Sequence, residues 1–370
     1  MKILVLANFG MGLYNFRKEL LEKLIEQNNE VYISLPNDEY VSKLEKIGCK
    51  FIDTQLNRRG TNPISDLKLF LFYRKLINEV KPDVVLTYTI KPNVYGGMAC
   101  SVTNTPYITN ITGLGTSIEN SGLMQKITLQ LYKIGLKKSS CILFQNETNQ
   151  NFFREKNIIK GGSRLIPGSG VNLNSHQYEV YPAEEQNIRL LFIGRIMKAK
   201  GIEELLKAAV IVKRKHSNVQ FDLIGSMEED YHQEIQELEK ENIVKYYGQQ
   251  SDVHSFIKNS HATILPSHHE GLANVLLESA SSGRPILASN VPGCIETFND
   301  GVTGFGFEVR NVDSLVSAIN KFLNLTYPQK KEMGYKGRLK VEKEFDRELV
   351  IHTYLNEISR VTSADKESYK

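Results

Sequence analysis

The chain has 370 residues, 41% of them hydrophobic and 24% charged, with a formal net charge of +4. That composition excludes a disordered polymer and allows two domains with separate cores. The charge is uneven, because residues 1 to 170 carry 22 Lys and Arg against 14 Asp and Glu. A basic half suits an anionic partner such as lipid headgroups or a phosphate-bearing substrate. Nucleic acid is set aside, since no zinc finger, helix-turn-helix cue or basic and aromatic strand face occurs.

The N-terminal KILVLA reads as a buried strand; it lacks the basic start and cleavage site of a signal peptide. No apolar run approaches the roughly 18 to 20 residues of a spanning helix, so a cytoplasmic protein is expected. Next comes ANFGMGLYNF, where Gly10 and Gly12 let the backbone approach a phosphate before a helix from Leu13 to Gln27. The full G-x-G-x-x-G is missing, so NAD is disfavoured and a tight turn without ligand is an equal reading. EVYISL, CKFIDT, a helix near 63 to 80, DVVLTY and PYITNI follow. Strands alternating with helices predict a parallel sheet with right-handed crossovers.

The alternation restarts after residue 187 with IRLLFIG, a helix from about Ile202 to Lys215, VQFDLIG, a helix from about Tyr231, IVKYYG, ATILPS and PILAS. The expected fold is α/β, two doubly wound Rossmann-like domains: 1–171, a linker at 172–187, then 188–345. A helix at 346–362 is expected to pack back on the first domain, ahead of a disordered tail at 363–370. In such folds ligands bind at the carboxyl ends of the strands. Cys49, Cys100, Cys141 and Cys294 are too scattered for a zinc site or a disulfide scaffold and read as reduced core residues.

Two stretches of the second half carry chemistry. In FIGRIMKAKGIEEL, Gly194 leads into Arg195 and Lys200, two cations between a strand and a helix. An arginine fork and a mobile lysine charge can neutralise a leaving diphosphate; a solvated basic loop is the plainer reading. EGLANVLLE sets Glu270 and Glu278 eight positions apart at another strand-to-helix junction, so both can face one polyhydroxylated ligand. Asn274 and the N–H groups near Gly271, Leu272 and Ala273 would be unpaired at the helix start, where the macrodipole favours an anion. Carboxylates for hydroxyls and amides for phosphate together suggest a nucleotide sugar. His268 and His269 are adjacent and lack a third partner, so no metal is expected; one of them, His269, is placed at the sugar pocket.

The first half offers an acceptor surface. From Asn120 to Asn146 there are four lysines and no acidic residue, and Leu123, Ile127, Leu131 and Ile134 form one stripe with Lys126, Lys133 and Lys137 along its flank. Such a helix can lie on an anionic membrane or grip a lipid diphosphate, or it can face a core with a solvated lysine edge. Arg58 and Arg59, on a loop of the same domain, favour the first, and Lys91 joins this acceptor and membrane set.

GRIMKAKG, followed by HATILPSHHEGLANVLLESASSGRPILASNVPGCIETFNDGVTGF, resembles the retaining glycosyltransferases of family 4, and the resemblance extends over nearly the whole chain. It implies the GT-B fold, two such domains facing across a cleft, with the donor in the second and the acceptor in the first. YTIKPNVYGG and NITGLGTSIEN are similar to cytoplasmic enzymes that extend lipid-linked oligosaccharides. On this resemblance Glu270 contacts hydroxyls of the transferred sugar, Glu278 the ribose, and Arg195 and Lys200 the diphosphate. Gly12 brings its N–H to the distal phosphate, and Tyr247 and Gln249 lie where the family binds uracil.

The loop after residue 110 lacks the His that many relatives place beside the reacting carbon. Glu119 is its only ionisable side chain, substrate-facing or on the surface. The implied function is transfer of an N-acetylhexosamine, galactose or 6-deoxy sugar from a UDP-sugar to a polyprenyl-diphosphate-linked acceptor at the inner membrane face. Neither a metal nor another cofactor is expected, since no Asp-x-Asp pair occurs and cations fill that role. A UDP-sugar epimerase of the same shape and a non-catalytic sugar-nucleotide-binding partner are the rival readings.

Overall fold

The computed structural model describes residues 1–55, 62–113, 122–183 and 187–368, without the side chains of 364–368. The chain divides into two units, Met1–Ser169 with Glu348–Lys370, and Gly170–Arg347.

In unit 1 the strands are β1 (Lys2–Leu6), β2 (Glu30–Leu35), β3 (Lys50–Asp53), β4 (Val84–Tyr88), β5 (Tyr107–Ile111), β6 (Cys141–Phe144) and β7 (Gly162–Leu165). They form one parallel sheet in the order β3-β2-β1-β4-β5-β6-β7, which reverses direction beside β1. Alternation along β1 explains why helices cover both faces. Ile3 and Val5 join a core with Leu13, Leu20 and Leu24 of the helix Gly10–Glu26, whereas Leu4 and Leu6 pack with Tyr73, Leu76 and Ile77 of the helix Pro63–Val80. Val350, Ile351, Tyr354 and Ile358 of the helix Arg347–Ser368 lie in the first of these cores. That helix continues to Ser368, beyond the limit of 362 read from the sequence and through most of the expected tail.

Unit 2 has β8 (Ile188–Ile193), β9 (Val219–Ile224), β10 (Val244–Tyr246), β11 (Ala262–Leu265), β12 (Ile286–Ser289) and β13 (Gly304–Phe307), parallel in the order β10-β9-β8-β11-β12-β13. The segment read as a linker lies on this unit: Tyr181 is 2% exposed and donates to the His261 carbonyl at 2.8 Å. Arg284 pins it there. Its buried guanidinium donates to the carbonyls of Glu179 and Val180 as well as those of Ile257 and Lys258. A polar-looking stretch can therefore be ordered when one buried cation gathers its carbonyls. All four cysteines are buried and free, as the sequence suggests.

Candidate functional site

The carboxyl ends of β8, β9, β11 and β12 bring the singled-out residues of unit 2 together. Each approach needs a glycine. Gly201 has φ +72° and a Cβ there would stand 2.0 Å from the Pro266 carbonyl oxygen, so the Lys198–Lys200 turn lies directly against the segment after β11. Gly293, at φ +84°, similarly lies against the Glu270 backbone. The consequence is a pair that the sequence does not announce: the Lys200 ammonium donates to Glu270 Oε1, with side chains 20% and 14% exposed.

Arg195, after β8, is 52% exposed and 3.9 Å from Glu228. Gly194 lies so close to Gly225 that a Cβ on Gly225 would meet the Gly194 carbonyl oxygen at 1.8 Å. His268 bridges Glu204, at 3.1 Å, and Arg310, at 3.4 Å. His269 follows it, partly buried, immediately before Glu270. Among the described residues no group of three or more His, Cys, Asp or Glu could hold a metal ion.

The helix Asn274–Ser281 starts at this junction without a side-chain cap. Its first residue, Asn274, buries its Oδ1 with no hydrogen-bond partner among the described residues, an orphan that a ligand donor would satisfy. One expectation is corrected here. The Ala273 N–H is paired, donating to the Gly293 carbonyl at 2.8 Å, and Leu272 and Ala273 belong to the unit 2 core. The apolar side chains anchor the turn, and the Ala273 N–H is held by the facing loop. Gly271 links Glu270 to this anchored turn and is partly buried.

Glu278 sits in the second turn of the same helix. The protein around it pushes its carboxyl up to about 7, and the charge of Arg347 pulls the other way. A carboxyl poised there carries no fixed charge at neutral pH; it can accept or donate to a hydroxyl pair. Tyr247 packs edge-on against Phe256, centroids 4.8 Å apart, and its hydroxyl contacts Arg189 at 2.9 Å and Asp222 at 3.3 Å, leaving Gln249 exposed beside it.

Unit 1 carries its two singled-out glycines on the helix Gly10–Glu26. Gly10 and Gly12 are the first and third residues of the helix rather than a loop before it. The Gly10 N–H donates to Asp38 Oδ2 at 2.6 Å, so the chain's own carboxylate occupies that helix N-terminus. A Cβ at Gly12 would meet the Phe9 ring at 2.8 Å. Asp38 was not legible as a partner because the contact spans 28 positions.

Lys91 is not a free surface cation. It is 2.8 Å from Asp66, with side chains 13% and 15% exposed, so its charge is spent inside unit 1 and not offered to lipid. Lys126 and Lys137 are exposed and Lys133 partly so. The helix Leu123–Gly135 buries Thr128, Leu129 and Tyr132, while Leu123, Ile127 and Ile134 of the apolar stripe are 74%, 45% and 55% exposed. Leu131, the fourth member, is partly buried and packs against the core that holds Leu129 and Tyr132, so the stripe faces outward at Leu123, Ile127 and Ile134. Arg58, Arg59 and Glu119 lie outside the described residues.

Residues 176–340 match the family model of glycosyl transferases group 1, and residues 2–146 that of glycosyl transferase 4-like proteins. The chain is 26% identical to the N,N'-diacetylbacillosaminyl-diphospho-undecaprenol alpha-1,3-N-acetylgalactosaminyltransferase of Campylobacter jejuni, over 98% of this chain and 99% of that one. It is 28% identical to the capsular polysaccharide biosynthesis glycosyltransferase CapM of Staphylococcus aureus, covering 79% and 80% of the two chains. Among solved structures, HepE of Anabaena in complex with UDP and glucose matches with a TM-score of 0.79 at 19% identity, over 97% of this chain and all of that one. Sucrose-phosphate synthase of Thermosynechococcus elongatus matches with 0.81 at 20%, over 99% and 100%.

Proposed function

Because this chain belongs to the family 4 glycosyltransferases of GT-B fold, we propose that it moves a sugar from a UDP-sugar, with retention, to a polyprenyl-diphosphate-linked acceptor. The observation that carries this reading is the junction in unit 2. An ammonium, a carboxylate and an orphaned amide oxygen lie at one helix start, and a second carboxyl follows one turn along the same helix. Lys200 and Arg195 take the diphosphate, Glu270 the hydroxyls of the transferred sugar, and Glu278 the ribose. In the free protein Lys200 and Glu270 neutralise one another, so donor entry exchanges one ion pair for two ligand contacts: ammonium to phosphate and carboxylate to hydroxyl.

The bond from the anomeric carbon to the diphosphate oxygen breaks while the acceptor hydroxyl oxygen bonds to that carbon on the same face. The acceptor's proton goes to the departing phosphate. That step calls for no protein base or metal; the protein supplies positioning and electrostatic stabilisation. The C. jejuni relative, named for an undecaprenyl-diphosphate acceptor, supports the acceptor class.

The outward apolar stripe of Leu123–Gly135, with exposed Ile64, Leu67 and Leu71 of Pro63–Val80, fits an anionic lipid surface, and Lys126, Lys133 and Lys137 supply the complementary charge. Among the described residues no helix is long and apolar enough to cross a membrane. The test is a transfer assay pairing a panel of UDP-sugars with a short polyprenyl-diphosphate-linked glycan, in the presence of EDTA, with the anomeric configuration of the product read by NMR. Transfer with retention supports the reading. A new nucleotide sugar formed without acceptor, or an inverted product, overturns it.

A further inference from the structure

Two of the cavities in the described part of unit 1 lie on either side of one helix turn, and they differ in chemistry. On one side of the start of Pro63–Val80 is an apolar groove of about 520 Å³, walled by Leu67, Phe70, Met98, Val102 and Ile134, with Lys137 and Lys138 also lining it. On the other side is a polar pocket of about 560 Å³, outside the carboxyl ends of β2 and β3, reached by Asn37, Asp53, Gln55, Asp66 and Lys91 and walled by Leu69. Asp66 lines both. It accepts from Lys91 Nζ and from the Tyr95 hydroxyl, each at 2.8 Å, and so forms the partition.

We propose that the polar pocket binds the carbohydrate of the acceptor, the sugar nearest the diphosphate, with Asp53, Asp66 and Lys91 contacting its hydroxyls. The inference rests on the lipid-linked acceptor of the proposed function. Its place at the carboxyl edge of the sheet is where an open parallel sheet admits ligands. Two carboxylates against one lysine repel a phosphate yet accept from hydroxyl donors, while Asn37, Gln55 and Lys91 donate to sugar oxygens. Leu69 offers an apolar wall for a ring face.

The Asp66–Lys91 pair, mostly enclosed, is a costly way to stabilise a fold, because both charges are largely withdrawn from water. It is a suitable way to hold an acceptor and a donor rigid before a polyol arrives. The adjoining groove offers the isoprenoid chain an apolar wall that includes Phe70 and Val102.

The experiment measures transfer to farnesyl diphosphate bearing one N-acetylhexosamine, using the full chain, and compares wild type with Asp53→Asn, Gln55→Ala and Asp66→Asn. The expected result is an acceptor KM raised roughly tenfold or more in Asp53→Asn and Asp66→Asn, and less in Gln55→Ala. Donor KM, UDP affinity and donor hydrolysis without acceptor stay within about twofold of wild type. Asp53 and Gln55 are surface residues, so their variants report even if Asp66→Asn does not fold. Unchanged acceptor KM in Asp53→Asn and Gln55→Ala, with wild type active, overturns the pocket alone. A wild type that transfers to this acceptor from none of the UDP-sugars overturns the proposed function and the pocket with it.

Discussion

Two strand-to-helix turns, one in each unit, start from similar architecture and end with different electrostatics. After β1, Asn8 Oδ1 is buried without a hydrogen-bond partner among the described residues, and the first helical N–H is taken by the Asp38 carboxylate. After β11, Asn274 Oδ1 is likewise orphaned, but the N–H before it is taken by the neutral Gly293 carbonyl and the nearby carboxylate is matched by Lys200. The first turn has its anion already. The second keeps a cation that a phosphate can recruit. A helix N-terminus following a parallel strand is thus a ligand site only when the chain has not filled it.

The largest expected effect tests the second turn. Lys200→Met should lower kcat by about 100- to 1000-fold, the cost of one preorganised charge on the leaving group, as measured by steady-state transfer; a loss below about tenfold would place the diphosphate elsewhere. Next, unit 1 should spend its exposed features on lipid. Ile127→Asp combined with Ile134→Asp should cut co-sedimentation with anionic vesicles roughly tenfold or more, and wild-type binding should weaken as salt rises. Binding indifferent to both would remove the membrane from the account.

A third prediction follows from Glu278. Its carboxyl titrates at about 7 in the fold against an ordinary 4.5, so between those values the folded state holds a proton that the unfolded state has released. Folding stability contributed by this group is therefore present below about 4.5 and falls as pH rises through that window. Glu278→Gln should flatten that fall, raising the melting temperature at pH 8 relative to wild type and changing it little at pH 5. An equal shift at both pH values would contradict the assignment. The smallest effect belongs to the first turn. Asp38→Ala should cost about 1 to 2 kcal/mol in urea denaturation and leave UDP affinity unweakened; a weakened affinity would mean that Asp38 helps to hold the donor.

The alternation of apolar runs with amphipathic ones made both sheets legible, because strands buried on both faces must be apolar at successive positions, as in Ile3 to Leu6. The shorter strands Gly162–Leu165 and Gly304–Phe307 did not stand out; GSRL has a single apolar side chain and GFGF alternates glycine with phenylalanine over only four residues. Residue types in the site were legible, since Lys200 falls in one motif and Glu270 and Glu278 in another. Their pairing was not. The Lys200–Glu270 contact spans 70 positions and depends on Gly201 and Gly293 letting backbones touch. Helical periodicity found the apolar stripe of Leu123, Ile127, Leu131 and Ile134 but could not say that all of it except Leu131 faces outward, because Leu129 and Tyr132 offer the core a second face.

The central claim is that unit 2 holds the donor nucleotide at the start of Asn274–Ser281. Calorimetric titration of UDP into wild type, Lys200→Ala and Glu278→Ala tests it most directly. The account predicts saturable binding by wild type and an affinity weakened roughly tenfold or more in each variant. UDP affinity unchanged in both variants would contradict it.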